Sequence, residues 1–145
     1  MKVCSCCGQK LPKTNFSRSH KDKIHNVCKS CRSAKAQDYA NTREGRIYRL
    51  SKDAKKRAKK KGIEYSISDS FWDRVDEGML CDVTGVPMSM SSADQKCMIS
   101  LDRIDSSKGY TDENCRLVCY AVNMACGPWG WDEFVDLVKP YFDCK

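Results

Sequence analysis

Apolar and polar positions change period several times along the chain, and each change marks an element. Ile99, Leu101 and Arg103 alternate with their neighbours as a half-buried strand does. Asp105 to Gly109 then gathers Asp, Ser, Ser, Lys and Gly, a cluster of turn formers in which Gly109 is expected to take a positive φ. Leu117 and Val118 carry a second strand, and Cys119 to Cys126 continues as a helix that Gly127 and Pro128 stop. Upstream, Arg32 to Lys61 is helical in propensity, with a break around Asn41 to Gly45. Its second half carries a narrow apolar stripe at helical spacing, Ile47, Leu50, Ala54 and Ala58, and Gly62 ends it. Ile63, Tyr65 and Ile67 alternate as a short strand. Ser68 or Asp69 then caps a helix that presents Phe71, Trp72 and Val75 to a core before Gly78 stops it. Leu80 to Met90 reads as a hairpin around Thr84-Gly85, and Ser91 to Lys96 as a polar loop. Trp131, Phe134, Val135 and Val138 fall at i, i+3, i+4 and i+7, a packing helix with Asp132 and Glu133 in its first turn and Pro140 at its end. The fold class is α+β.

With 145 residues, 41% hydrophobic and 9% aromatic, the chain is expected to fold around one modest core plus a small satellite. Charge is divided unevenly. Residues 1–61 hold 19 Lys or Arg against 4 acids, a net of +15, and residues 62–145 hold 7 against 15, a net of −8. Lys52, Lys55, Lys56, Lys59 and Lys60 share one helix face, and Asp53 is the only acid between Ile47 and Lys61. With so little to offset its repulsion, that face fits phosphate contacts better than simple solvation. Such contacts give affinity for nucleic acid without sequence specificity. No apolar run exceeds the six residues Leu117 to Val122, so no membrane partner is expected. Met-Lys-Val-Cys at the N-terminus carries no apolar signal region, which makes a cytoplasmic location the expectation.

That reading, with eleven cysteines as an odd count, argues against a disulfide framework and for metal. Cys4-x2-Cys7 and Cys28-x2-Cys31 can each wrap a metal from a tight turn, and four thiolates complete a tetrahedral Zn²⁺ shell. Gly8 suits such a knuckle, which selects Cys4 and Cys7 and leaves Cys6 as a bystander. His20 and His25 are not needed as ligands, because neither pair is incomplete. Phe16 is the expected apolar anchor, and zinc must supply most of the stability of so short and polar a segment.

Leu-Asp-Arg-Ile-Asp at residues 101–105, Lys-Gly-Tyr-Thr at 108–111, Asn114, Leu-Val-Cys at 117–119 and Asn123 together resemble the HNH, or His-Me finger (ββα-metal), endonucleases, in a branch common in phage genomes. The resemblance spans roughly residues 62–127. It implies that Asp102 and Asn123 are the two metal ligands and that Asn114 pins the loop. The cysteine-rich leader is similar to the zinc-ribbon-like segments ahead of phage HNH domains. Three regions follow: a zinc module over residues 1–36, a basic helical linker over 37–61, and an HNH-like domain with its packing helix over 62–145. Cys-Asp-Val-Thr-Gly-Val-Pro at 81–87 is similar to the segment that opens the finger. Relatives with a second zinc site use CxxC there and again on the finger helix. Here Thr84 and Val122 stand at the partner positions, so Cys81 and Cys119 read as small buried residues.

A carboxylate and an amide oxygen make a hard donor set with open positions, suited to Mg²⁺ or Mn²⁺. The departure from the pattern is Arg103, which stands where the family has its catalytic His. A guanidinium stays protonated and cannot act as general base, but it can clamp a phosphate bidentately. Three readings of Arg103 stand side by side. Another group, with Asp105 the nearest carboxylate, acts as base; a His arrives from elsewhere; or the fold is kept for binding alone. The leading expectation is a divalent-metal-dependent endonuclease acting on DNA. The alternatives are a non-catalytic zinc protein that binds nucleic acid through a degenerate finger, and a regulator that binds a protein through its acidic half. Oligomeric state is not legible in the sequence.

Overall fold

The computed structural model describes residues 1–18 and 23–143, so His20 and Cys144 lie outside the described residues. The chain divides into two units, Met1–Ala40 and Asn41–Lys145. It is α+β, with helices joined by short two-stranded pairs.

In the first unit, β1 (Lys2–Val3) and β2 (Lys10–Leu11) pair antiparallel around a turn in which Gly8 takes φ +71° and donates its N–H to the Cys4 carbonyl. A 3₁₀ turn at Lys13–Asn15 leads to Phe16, and α1 runs Lys29–Ala40. The buried centre consists of Cys4, Phe16 and Cys28, with Leu11, Ile24, Val27 and Cys31 packed around it. That is too little apolar surface to offset the entropy of ordering the chain, so the sulfur cluster must contribute.

The second unit begins with α2 (Arg43–Lys61). Thr42 caps it by accepting from the Gly45 N–H, and Gly62 closes it in the left-handed conformation. Leu50, Ala54 and Ala58 are buried in the main core with Trp72, Val75, Met88, Ile99, Leu101, Tyr110, Leu117 and Val118. The apolar stripe expected on a linker helix is thus a wall of the second core. Arg46 is buried too, and its Nε donates to the Ile99 carbonyl at 2.9 Å, fastening α2 to the strand beyond. Arg43 reaches the carbonyls of Val75, Trp72 and Asp73, where a 3₁₀ turn at Ser70–Arg74 ends. At the start of that turn, Ser68 Oγ accepts from the Phe71 N–H, whereas Asp69 makes no side-chain cap.

β4 (Ile99–Arg103) and β6 (Cys115–Cys119) form an antiparallel pair in which Asp102 faces Arg116 and Arg103 faces Cys115. Between them β5 (Tyr110–Thr111) pairs parallel with β3 (Tyr65–Ser66), so the alternating segment around Tyr65 contributes only two strand residues. Gly109 is needed here for a different reason from the expected one. Its φ is not positive; a Cβ at this position would lie 2.8 Å from both Cβ and the carbonyl oxygen of Glu64. α3 (Tyr120–Cys126) follows β6 directly and ends at Gly127, whose N–H reaches the Asn123 carbonyl. The result is a strand–loop–strand–helix finger, with α2 packed beneath it.

The turn at residues 81–86 docks on β6 through Asp82, which accepts the Leu117 N–H at 2.7 Å. Cys81 and Cys119 are both buried, and the Cys119 N–H donates to Cys81 Sγ at 3.4 Å. Burial opposes ionisation of Cys81, but the Thr84 hydroxyl and the amides of Cys119, Thr84 and Val83 outweigh it and lower its pKa. Thr84 thus completes a hydrogen-bonded turn where a second thiol would have completed a metal knuckle. Lastly, α4 (Trp131–Asp143) runs through Pro140 instead of stopping at it. A proline there removes one backbone donor, and only the last turn lies beyond it. Trp131, Phe134, Val135 and Val138 are half-buried.

Candidate functional site

Two constellations carry chemistry. In the first unit, the ligand atoms of Cys4, Cys7, Cys28 and Cys31 all lie within 4.8 Å of one another. Four sulfurs about 2.3 Å from one ion stand ~3.8 Å apart in a tetrahedron, so the cluster fits Zn²⁺. The Cys28 N–H donates to Cys4 Sγ at 3.3 Å and the Cys6 N–H at 3.4 Å. Amides of Cys28 and Cys7 draw the Cys4 thiol down to about 6. The Ser30 hydroxyl, 3.1 Å from Cys28 Sγ, lowers Cys28, whereas the thiols of Cys28 and Cys7 push Cys31 up. Crowded sulfurs compete for the right to ionise, and a divalent cation among them removes the competition. Cys6 is exposed and stands outside the cluster.

In the second unit, a cleft of about 310 Å³ opens along the finger, lined by α2, β4, the polar loop and the end of α3. Asp102, Arg103 and Asn123 line it together, as do Arg57, Lys61 and Tyr110. Asp102 Oδ2 accepts from Arg116 Nε at 2.9 Å across the strand pair, and both side chains are largely buried. Asn123 donates its amide N–H groups to Ser100 Oγ at 2.8 Å and to the Leu101 carbonyl at 3.1 Å. With the amide nitrogen committed, the carbonyl oxygen is the atom left for a ligand. Oδ1 of Asp102 and Oδ1 of Asn123 are hard oxygen donors on adjoining elements, so the donor set fits Mg²⁺ or Mn²⁺.

Asn114 closes the loop from within. Its Oδ1 accepts the Asp105 N–H at 2.9 Å, and its Nδ2 donates to the carbonyls of Asp105 at 3.1 Å and Gly109 at 2.8 Å. Asp105 turns the other way. Its Oδ1 accepts from the Ser107 hydroxyl and amide at 2.6 and 2.9 Å, and its other oxygen lies 3.2 Å from Lys108 Nζ. These contacts, the Ser107 hydroxyl first, hold its pKa down at about 2. A carboxylate so acidic and so occupied is a poor proton acceptor, and it does not line the cleft.

Arg103 and Arg57 converge on one phenol. The Arg103 guanidinium lies 5.0 Å from the centre of the Tyr110 ring and donates to the Lys108 carbonyl at 2.7 Å. Arg57 lies 5.8 Å from the same ring centre, and its Nε donates to the Tyr110 hydroxyl at 3.0 Å. Among the described residues none of Arg57, Lys61 and Arg103 makes an ion pair, so the cleft presents three uncompensated cations. None of Lys52, Lys55, Lys56, Lys59 and Lys60 lines it. At 100° per residue those five lie on the far side of α2 from Leu50, Ala54 and Ala58, and all are exposed.

Among solved structures, the chain matches one described as the rare-cutting HNH restriction endonuclease PacI. The match covers 99% of this chain and 95% of that one, at 18% identity and a TM-score of 0.45. No protein-family model and no curated protein matches the chain.

Arg57, Lys61 and Tyr110 in the cleft, and Arg116 paired to Asp102, are site residues that sequence reasoning missed. A signal for two of them exists. Arg57 and Lys61 extend the buried line Leu50–Ala54 at the next heptad-like positions, so each is a charge placed where the stripe calls for an apolar residue. Such an intrusion marks a place where the buried face meets something other than core.

Proposed function

We propose that the chain is a divalent-cation-dependent endonuclease of the HNH (ββα-metal) type that hydrolyses phosphodiester bonds in DNA, with a structural zinc site in its first unit. The observation that carries this reading is the convergence, in one cleft, of two hard oxygen donors and three unpaired cations. A backbone phosphate seated there meets the guanidiniums of Arg103 and Arg57, both prepositioned by Tyr110, while Lys61 adds a point charge from α2. Asp102 and Asn123 would hold the Mg²⁺ or Mn²⁺ ion, which would supply stabilisation of negative charge on the leaving oxygen. Asn114 fixes the loop so that Asp102 and Arg103, at the end of β4, keep their aim. DNA contacts of this kind read the backbone and carry little base specificity.

A second reading is favoured by one specific observation. Residues 41–145 contain no histidine, and Asp105 is engaged in its own turn, so the second unit offers no ordinary general base. A nucleic-acid-binding protein with a non-catalytic finger would look the same. Supercoiled plasmid incubated with the zinc-loaded protein and Mg²⁺ or Mn²⁺ separates the two. Nicking that disappears in Asp102→Ala supports the nuclease; plasmid retardation with no nicking in either cation rejects it.

A further inference from the structure

The cleft that is read as a cation site has the wrong sign for one. Asp102 is the one carboxylate among its described lining residues, and Arg57, Lys61 and Arg103 stand around it. Asp102 is also not a free anion: Arg116 sits opposite it in the β4–β6 register, with Nε 2.9 Å from Oδ2. Only 14% of the Asp102 side chain and 17% of the Arg116 side chain is accessible, so water screens the pair poorly. A neutral amide from Asn123 completes the donor set. A lone divalent cation entering this cleft therefore meets net positive charge, carried by Arg103 on β4, Arg57 and Lys61 on α2, and Arg116 behind Asp102. A phosphodiester reverses that balance. Each phosphate brings one negative charge and further hard oxygens of the kind Mg²⁺ and Mn²⁺ favour.

We propose that Arg116 is a positioning residue that keeps Asp102 paired, so that the cleft admits its divalent cation only together with a nucleic-acid phosphate. This rests on the reading of Asp102 and Asn123 as the ligand pair. Two consequences follow from the geometry. Arg116 occupies Oδ2, which leaves Oδ1 as the donor, so the same pairing that lowers cation affinity also fixes the carboxylate's orientation. By linkage, whatever factor the phosphate adds to cation affinity, the cation returns to phosphate affinity. Cation and DNA would thus bind as one event, and the protein without DNA would hold zinc but no second metal.

Equilibrium uptake of Mn²⁺ by the zinc-loaded full chain tests this, read as loss of the free-ion electron paramagnetic resonance signal. It is measured with and without a short phosphorothioate duplex, counting only uptake that Asp102→Asn abolishes. The wild type is expected to bind Mn²⁺ at least about tenfold more weakly without the duplex than with it. Arg116→Gln, which removes one charge beside the site, should raise the duplex-free affinity by about tenfold or more. Arg116→Lys, which keeps the charge, should stay as weak as the wild type. Equal Mn²⁺ affinity with and without duplex, or no gain in Arg116→Gln, overturns the proposal while leaving the ligand pair standing. If Asp102→Asn changes uptake in no condition, the ligand reading itself fails. Circular dichroism and zinc content check that each variant folds, and should Arg116→Gln not fold, Arg116→Met, which removes the same charge at similar length, takes its place with the same two outcomes.

Discussion

In the proposed nuclease, Arg103 is the residue on which the chemistry turns. In a worn site, an imidazole at this position would supply a missing base. The structure gives Arg103 an occupation instead: its guanidinium rests on Tyr110 and is held by the Lys108 carbonyl, facing the cleft. Arg103→His is therefore expected to lower plasmid nicking, and Arg103→Lys as well, because an ammonium cannot reproduce a planar two-donor contact. Losses on the order of 10²-fold match what one preorganised charge-stabilising donor is worth. A clear rise in nicking with His would show that the site had lacked only its base. Asp105 yields a prediction of another kind. Its folded pKa of about 2 lies below the unfolded value of 3.8, so it favours folding fully above about pH 4 and loses that contribution as pH falls towards 2. The wild-type melting temperature should accordingly drop more steeply between pH 4 and pH 2 than that of Asp105→Asn; parallel curves would mean the turn contacts contribute nothing. The sequence left Asp105 open between turn residue and base. What it could not display is that Ser107 and Lys108 would claim both carboxylate oxygens.

At the scale of elements, α2 is where pattern and structure part company in an instructive way. The finger itself was legible because its signals are local: alternation over Ile99–Arg103, a turn cluster, and a helix closed by Gly127. The role of α2 was not, because the Lys52–Lys60 stripe is the loudest feature of that helix and the cleft residues are on its quieter side. Arg57 and Lys61 look like two more basic residues until Tyr110, fifty-three positions after Arg57, is brought against them. Gly109 shows the same limit, since only the approach of Glu64 reveals why a side chain is excluded. These two faces should separate experimentally. Neutralising Lys52, Lys55 and Lys56 should flatten the dependence of log affinity on log salt by about 0.9 for each phosphate no longer neutralised, and spare the rate of cutting by bound protein. Arg57→Gln with Lys61→Gln should do the reverse, lowering that rate with only a small change in slope. A large loss of rate from the lysine face, or none from Arg57 and Lys61, would refute the division.

For the molecule as a whole, the two units differ in what holds them together. Among the described residues, the first buries Phe16 with Cys4 and Cys28 of the sulfur cluster, whereas the second has a continuous apolar core in which the Thr84 hydroxyl supports the Cys81 turn. A strong zinc chelator should strip hydrogen-exchange protection from residues 1–40 and leave the β4–β6 amides protected. Uniform loss across both units would mean that a second metal is being removed, and protection unchanged in residues 1–40 would mean that the four cysteines hold none. The two CxxC pairs made the sulfur cluster legible in the sequence, because the spacing within each pair is local.

The parallel pairing of β3 with β5 adds a dimension of time. Glu64 and Tyr65 must wait for Gly109 and Tyr110 before either strand exists, and Asn123 comes later still. A chain growing on the ribosome thus shows the basic face of α2 early and has no cleft until the finger is nearly complete. Helices close within microseconds and distant pairings form more slowly, so the same order is expected in refolding. Pulse-labelled exchange should find the amides of Leu50 to Ala58 protected before that of Tyr110, which donates to the Glu64 carbonyl. Simultaneous protection would argue against it. Under the proposed function, an unfinished chain has its phosphate-binding face before it has anything to cut with.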